Sequence, residues 1–261
     1  VSTVAAFVAA GAGVPVAKHG NRSVTSPSGS ADVLEALGAK LEVPPEKVQA
    51  VIEKVGIGFL FAPQFHPAMR LAAPVRKELG VRTVFNLLGP LTNPAGAKAQ
   101  VLGVFHADLV DTYADVLLRL GAERAMVVHG TAGLDEVSTL GPTLVAEVDG
   151  GQVRKYALHP REFGLREVRA DQVAGRPPAE SAKQVLGLLS SGLDDAPRRE
   201  MVLLNAACAI YVAGNADSVR EGVQRARESV ESGAALGKLL EFVKATGGSV
   251  PAAVGGPISV K

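Results

Sequence analysis

Short apolar segments of strand length alternate with amphipathic helical segments through the first half of this chain, and helices alone fill its last third. That order restricts the fold to layered α/β architectures, because a strand followed by a helix and another strand closes a parallel unit. Residues 14–17 form a candidate strand. Residues 31–37 read as a helix, with Ser30 as N-cap and Gly38 as its stop. The Pro44-Pro45-Glu46 start predicts a helix to Val55, and 101–105 a strand. Over 108–120 the apolar residues Leu109, Tyr113, Val116, Leu117 and Leu120 share one helical face, and Gly121 ends the run. Residues 125–128 are apolar on both faces, as a central parallel strand requires. Asp149-Gly150-Gly151 between 144–148 and 152–158 predicts a hairpin. Helices are expected over 179–190, 197–212, 217–232 and 234–245, with 201–212 apolar nearly all round and therefore buried. The expected architecture is α/β: a mostly parallel central sheet with one antiparallel hairpin, flanked by helices. Pro67, Pro74 and Gly80 interrupt a helical run over 66–82, which reads as a hinge or a lid.

The 27 basic and 26 acidic residues leave a net charge of +1, and no basic run is long enough to attract nucleic acid. Aromatic residues make up 4% with no tryptophan, too few for base-stacking platforms. Cys208 stands alone, so no internal disulfide can form, which fits a reducing cytoplasm. Residues 1–17 lack charge, but Pro15, Lys18 and His19 cut the segment short of a membrane span. A buried helix over 2–12 is expected instead, and the absent initiator Met suggests a start inside a longer gene product.

Three clusters could carry chemistry. Lys18 to Ser30 follows a strand and precedes a helix, where open α/β sheets bind ligands. Its cations, hydroxyls and flexible Gly and Ser backbone suit a phosphate, and equally a solvated loop with a good cap. The second runs from Val127 to Glu136, where a strand enters a Gly-rich loop ending in Asp135 and Glu136. This pair suits Mg²⁺ completed by substrate phosphate oxygens, or a solvated acidic turn. The third is Arg76, with Arg70, Lys77 and Arg82 nearby: either a fork for a carboxylate or a surface charge. Asn86 and Asn93 are accounted for by turn chemistry, and His66, His106 and His159 have no evident partner. There is no zinc spacing, no Walker loop and no nucleophile elbow.

The runs VPVAKHGNRSVTSPSGSADVLEALG, FAPQFHPAMRLAAPVRKELGVRTVFNLLGPLTNP and VVHGTAGLDEVS, in that order, resemble the anthranilate phosphoribosyltransferases of tryptophan synthesis. The likeness extends from Ser2 to about Thr246. It implies the large domain of the nucleoside phosphorylase and phosphoribosyltransferase fold over 1–261. It further implies transfer of the phosphoribosyl group of 5-phosphoribosyl 1-pyrophosphate (PRPP) to anthranilate, with Mg²⁺ as cofactor. Carried over, Ser2, Thr3, Lys18, His19, Gly20, Asn21, Arg22, Ser23, Val24, Thr25, Ser26 and Ser30 would line the PRPP site. Asn21 and Arg76 would meet anthranilate, and Ser2, Asp135 and Glu136 would hold metal. Related pyrimidine nucleoside phosphorylases are the alternative. The family also has a GTGGDG-type loop and an N-terminal helical domain that forms a homodimer, and neither is found in this sequence. A catalytically incomplete phosphate-binding fragment is therefore a third reading. It implies weak PRPP binding and exposed apolar surface near 60–85, the hinge segment expected to pack on the helical domain.

Overall fold

The computed structural model describes residues 1–23, 26–69, 75, 78, 84–190 and 195–254. Helix α1 (Ser2–Gly11) is apolar nearly throughout, and Thr3 to Ala10 are all buried. It leads into β1 (Val16–Gly20), which pairs in parallel with β2 (Ile57–Phe61), Val16 facing Ile57 and Gly20 facing Phe61. Between them lie α2 (Ser30–Ala36) and α3 (Pro45–Val55).

Two expectations change here. The first strand runs over 16–20 rather than 14–17, so Lys18, His19 and Gly20 belong to a strand and not to a loop. The reason is β2, whose backbone supplies partners along that whole length. Strand β2 has no counterpart in the sequence reading, and its end overlaps the start of the expected hinge. Leu60 and Phe61 are instead core residues, at 4% and 2% exposure. Farther along, Val75 and Val84 are exposed; the rest of 70–83 apart from Glu78, including Arg70, Pro74, Arg76, Lys77, Gly80 and Arg82, lies outside the described residues.

The second sheet has the order β3 (Ala99–Gly103), β4 (Arg124–Gly130), β5 (Thr143–Asp149) and β6 (Gln152–Leu158). Strands β3 and β4 are parallel, joined by α4 (Leu109–Arg119), while β4–β5 and β5–β6 are antiparallel. The hairpin turns through Gly150 and Gly151 at φ 55° and 80°, left-handed values that suit glycine at both turn positions. The chain is thus α/β with parallel strands and a hairpin as expected, the strands being shared between two sheets.

Helices α5 (Pro178–Leu189), α6 (Ala196–Val212), α7 (Val219–Glu231) and α8 (Ala234–Ala245) complete the fold. Helix α6 explains its own composition. Val202, Leu203, Ala206 and Ile210 pack in the core with α1, while Leu204, Ala207, Cys208 and Val212 pack in the core with Met126 and Val128 of β4. A helix with a core on each side has no solvent face to make polar. Burial pushes the Cys208 thiol up to about 12, which keeps it protonated and unreactive. At the far end of the second sheet, Glu147 is 3% exposed and accepts hydrogen bonds from Tyr156 (2.8 Å), Tyr211 (2.7 Å) and Arg154 (3.3 Å). These bonds tie the hairpin to α6 and satisfy a charge that would otherwise be costly to bury. Among the described residues, no helix is long and apolar enough to cross a membrane.

Candidate functional site

The first turn of α1, strand β1 and the loop that follows β4 meet in one place. Lys18 Nζ donates to Ser2 Oγ at 3.2 Å, and the Ser2 amide donates to Glu136 Oε1 at 3.3 Å. Ser2 opens α1, whose first-turn amides favour a carboxylate nearby. Thr3 beside it is 8% exposed. Lys18 is half-buried in the strand. Loss of water holds its ammonium below the usual lysine range, and the Glu136 charge opposes that shift. A partly dehydrated ammonium in this setting is primed to bind an anion, since little hydration remains to be removed.

Glu136 has a second oxygen, Oε2, that is buried and has no hydrogen-bond partner. A carboxylate oxygen in that state fits a cation or a donor brought by a ligand. Asp135 is exposed, and its backbone lies against β3: a Cβ placed on Gly103 would stand 1.7 Å from the Asp135 carbonyl oxygen. The two acids therefore differ in environment, Asp135 exposed and Glu136 half-buried. Among the described residues, no group of three or more His, Cys, Asp and Glu gathers in one place. A metal held by Asp135 and Glu136 would need Ser2, water or substrate oxygens to complete its shell, the habit of Mg²⁺.

The loop after β1 is ordered by its own polar groups. Asp32 Oδ2 accepts from the amides of Gly29 (2.8 Å) and Ser23 (2.9 Å). The N-cap of α2 is therefore Gly29, and Ser30 is the first helical residue, correcting the expected cap. Asp32 already supplies a negative charge there, so the start of this seven-residue helix is not an open anion site. Asn21 accepts from the Arg22 amide through Oδ1 (2.8 Å), and its carbonyl accepts from Ala31 N and Ser30 Oγ. Ser23 Oγ bonds Ser26 Oγ at 2.7 Å and accepts from the Ser26 amide at 2.9 Å. Arg22 pairs with Glu35 through Nε (3.2 Å) and Nη2 (2.5 Å) and lies over the Phe61 ring at 4.7 Å. Its charge is thus engaged by Glu35 rather than joined to Ser2 and Lys18. Val24, Thr25 and Arg76 lie outside the described residues.

Two neighbours of this site have no role in the sequence reading. His66 Nε2 lies 3.1 Å from His19 Nε2, with the rings edge-on at a centroid distance of 5.0 Å. Burial, the second imidazole and Lys18 all hold His19 below its ordinary pKa, partly offset by a hydrogen bond with the Gly89 backbone. Asn93 accepts from Ala95 N at 3.0 Å, the turn bond expected of it, but also donates to the Ala17 carbonyl of β1 at 2.9 Å. The segment carrying Asn93 is thereby fastened beside Lys18. The only hint of either contact is their place within the family-like runs. His129 is buried, with Nδ1 2.8 Å from the Val104 carbonyl, and has a structural partner.

A profile described as "Glycosyl transferase family, a/b domain" matches residues 1–236. The anthranilate phosphoribosyltransferase of Thiobacillus denitrificans is 56% identical over 245 residues, covering 93% of this chain and 70% of that protein. That of Rubrobacter xylanophilus is 57% identical over 244 residues, covering 94% and 71%. The crystal structure of the Thermus thermophilus enzyme superposes with a TM-score of 0.88 at 52% identity, covering 94% of this chain and 72% of that one. The Saccharomyces cerevisiae enzyme in complex with PRPP and Mg gives 0.85 at 33% identity, covering 94% and 69%. With the profile spanning most of its length and relatives this similar over more than two thirds of theirs, the chain belongs to the anthranilate phosphoribosyltransferase family.

Proposed function

We propose that this chain transfers the 5-phosphoribosyl group of PRPP to the amine of anthranilate, releasing pyrophosphate, a step of tryptophan biosynthesis. The observation that carries the reading is the meeting of Lys18, Ser2 and Glu136, from three separate segments, in a member of this family. Solved relatives from yeast hold PRPP with Mg, and 4-fluoroanthranilate. In the reaction, the amine lone pair forms a bond to the anomeric carbon. The bond from that carbon to pyrophosphate breaks, its electron pair leaves with the phosphate oxygen, and the new ammonium loses a proton to solvent. Positive charge builds on the ribose and negative charge on the leaving group. No side-chain nucleophile is needed; fixed charges and orientation supply the rate.

Lys18 faces the leaving pyrophosphate, and the Ser2 and Thr3 hydroxyls and first-turn amides lie beside it. His19, Gly20, Asn21, Arg22, Ser23, Val24, Thr25, Ser26 and Ser30 complete the PRPP side of this reading. Arg22 must leave Glu35 to take part. Asn21 and Arg76 serve anthranilate, with Arg76 forking its carboxylate. Asp135, Glu136 and Ser2 would hold Mg²⁺, whose contribution is to neutralise charge on the departing pyrophosphate. The orphaned Glu136 Oε2 supports that assignment. A cytoplasmic homodimer belongs to the same proposal, with the part of 60–85 that follows β2 as a hinge toward a helical domain.

The test follows loss of anthranilate fluorescence with PRPP and Mg²⁺ supplied, then with the metal chelated. Metal-dependent loss with equimolar pyrophosphate is expected. Phosphorolysis of a pyrimidine nucleoside in place of anthranilate turnover would overturn the reading. So would PRPP binding without any turnover.

A further inference from the structure

Helix α6 is apolar along nearly all of its buried length, yet Asn205 sits in its middle at 9% exposure. Its side chain has one main partner, and that partner is not on the helix. Asn205 Nδ2 donates to the Val137 carbonyl (2.7 Å), and Oδ1 accepts from the Val137 amide (3.0 Å). The second Nδ2 hydrogen goes to the Met201 carbonyl of its own helix (2.8 Å). A side-chain amide thus holds both polar backbone groups of one residue, as a sheet neighbour would. Val137 follows Glu136 directly and is 0% exposed. The amide that Asn205 holds belongs to the peptide joining Glu136 to Val137, so the bond fixes the plane from which the Glu136 side chain departs. On the other flank, Gly130 N donates to the Leu134 carbonyl at 2.8 Å, and Gly103 admits the Asp135 carbonyl into close contact.

We infer that Asn205 is a positioning residue for the acidic loop: it aims Glu136 at Ser2 and sets the affinity of the Asp135–Glu136 pair for Mg²⁺. This rests on the reading that those two acids hold the metal. A purely apolar residue would pack in the same helix without the cost of burying an amide. Partners one step removed from a metal ligand typically change metal affinity by about 10–100-fold.

The test compares Asn205→Leu, which removes both bonds to Val137, with Asn205→Asp, which keeps an acceptor for the Val137 amide. PRPP is titrated calorimetrically at a series of Mg²⁺ concentrations, and amide hydrogen exchange at Val137 is measured without metal. For Asn205→Leu the half-saturating Mg²⁺ should rise about tenfold or more. Val137 exchange should quicken at least tenfold, and the KM for anthranilate should stay within about twofold of wild type. Asn205→Asp should move in the same direction by less, and it carries the test if the leucine variant does not fold. Tyr211→Phe, also on α6 but bonded to Glu147, is the control for lost helix stability and should leave the Mg²⁺ dependence in place. Unchanged Mg²⁺ dependence in both Asn205 variants, or an equal shift in Tyr211→Phe, would overturn the inference. Glu136→Gln separates the two levels: if it shifts the Mg²⁺ dependence and the Asn205 variants do not, this inference alone fails. If Glu136→Gln shifts nothing, the metal assignment fails and takes the inference with it.

Discussion

Replacing Gly103 by alanine adds one methyl group at the tightest backbone approach beside the acidic loop. The new Cβ would stand 1.7 Å from the Asp135 carbonyl oxygen and 2.5 Å from its carbon, where ordinary contact begins at 3.4 Å. Both obstructing atoms are backbone, so no side chain can swing aside. The loop and β3 must separate by about 1.7 Å, or the strand must bend by as much. Overpacking of this kind typically costs about 1–3 kcal/mol, which lowers the Tm of a protein this size by about 2–10 °C. The catalytic cost should be larger, because a misplacement of about 1 Å can cost roughly 100-fold in rate. The assay is anthranilate fluorescence at saturating PRPP across a Mg²⁺ series, with Tm measured on the same samples. Gly237→Ala is the matched control. A Cβ there meets nothing within 4 Å, at the fourth residue of α8, so it should raise stability by up to about 0.5–1 kcal/mol and leave turnover alone. Wild-type kcat and Mg²⁺ dependence in Gly103→Ala would refute the claim that this contact places the acidic loop.

Lys18→Met should weaken PRPP binding about 10–100-fold, the worth of one charge-assisted hydrogen bond, while anthranilate KM holds; equal loss for both substrates would count against its place at the pyrophosphate. His19, held below its ordinary 6.5, stays neutral in the folded protein while the unfolded chain takes up a proton, so stability from this group is full above about pH 6.5 and falls as pH drops toward the lowered value. The Tm loss between pH 7.5 and 5.5 should then shrink in His19→Asn, and an unchanged pH slope would show that the pair is not coupled to folding. Tyr211→Phe removes a 2.7 Å bond to the buried Glu147 carboxylate and should cost about 1.5–3 kcal/mol in urea unfolding with turnover intact; no loss of stability would mean Tyr156 and Arg154 suffice for that charge.

The sequence discloses what depends on local periodicity and hides what depends on distant contact. Helix α8 has the bounds expected from its pattern, and α4 those bounds less one residue at each end, because their apolar residues repeat at helical spacing. The hairpin is marked by two glycines at the turn. Strand β2 escapes a sequence reading: its five residues are all buried, so polar alternation is absent, and the prolines that follow draw the segment into an apparent hinge. Losing β2 also shortens β1, and with it the reason that Lys18 and His19 stand on a rigid element. The clusters around Lys18 and Glu136 can each be seen as polar loops after strands. Their union through Ser2 cannot, because it spans 134 residues and requires α1 to lie with its first turn between them.

Asn205 and Gly103 show why the remainder is hidden. Each looks ordinary where it stands: one polar residue in a long helix, one glycine at a strand end. Their meaning lies in Val137, 68 residues from Asn205, and in the Asp135 carbonyl. A reaction that uses no side-chain nucleophile gains its rate from charges held where charge develops, so the residues that hold those charges matter as much as the charges do. Helix α6 suits this task because it packs against α1, which carries Ser2, on one side and β4, which leads into the acidic loop, on the other. A change of its tilt would move both ends of the Ser2–Glu136 contact. Stability and catalysis therefore share one element, and variants of α6 separate the two only when they alter few bonds: Tyr211→Phe removes one, and Asn205→Asp loses the two that Nδ2 donates while keeping the acceptor for the Val137 amide.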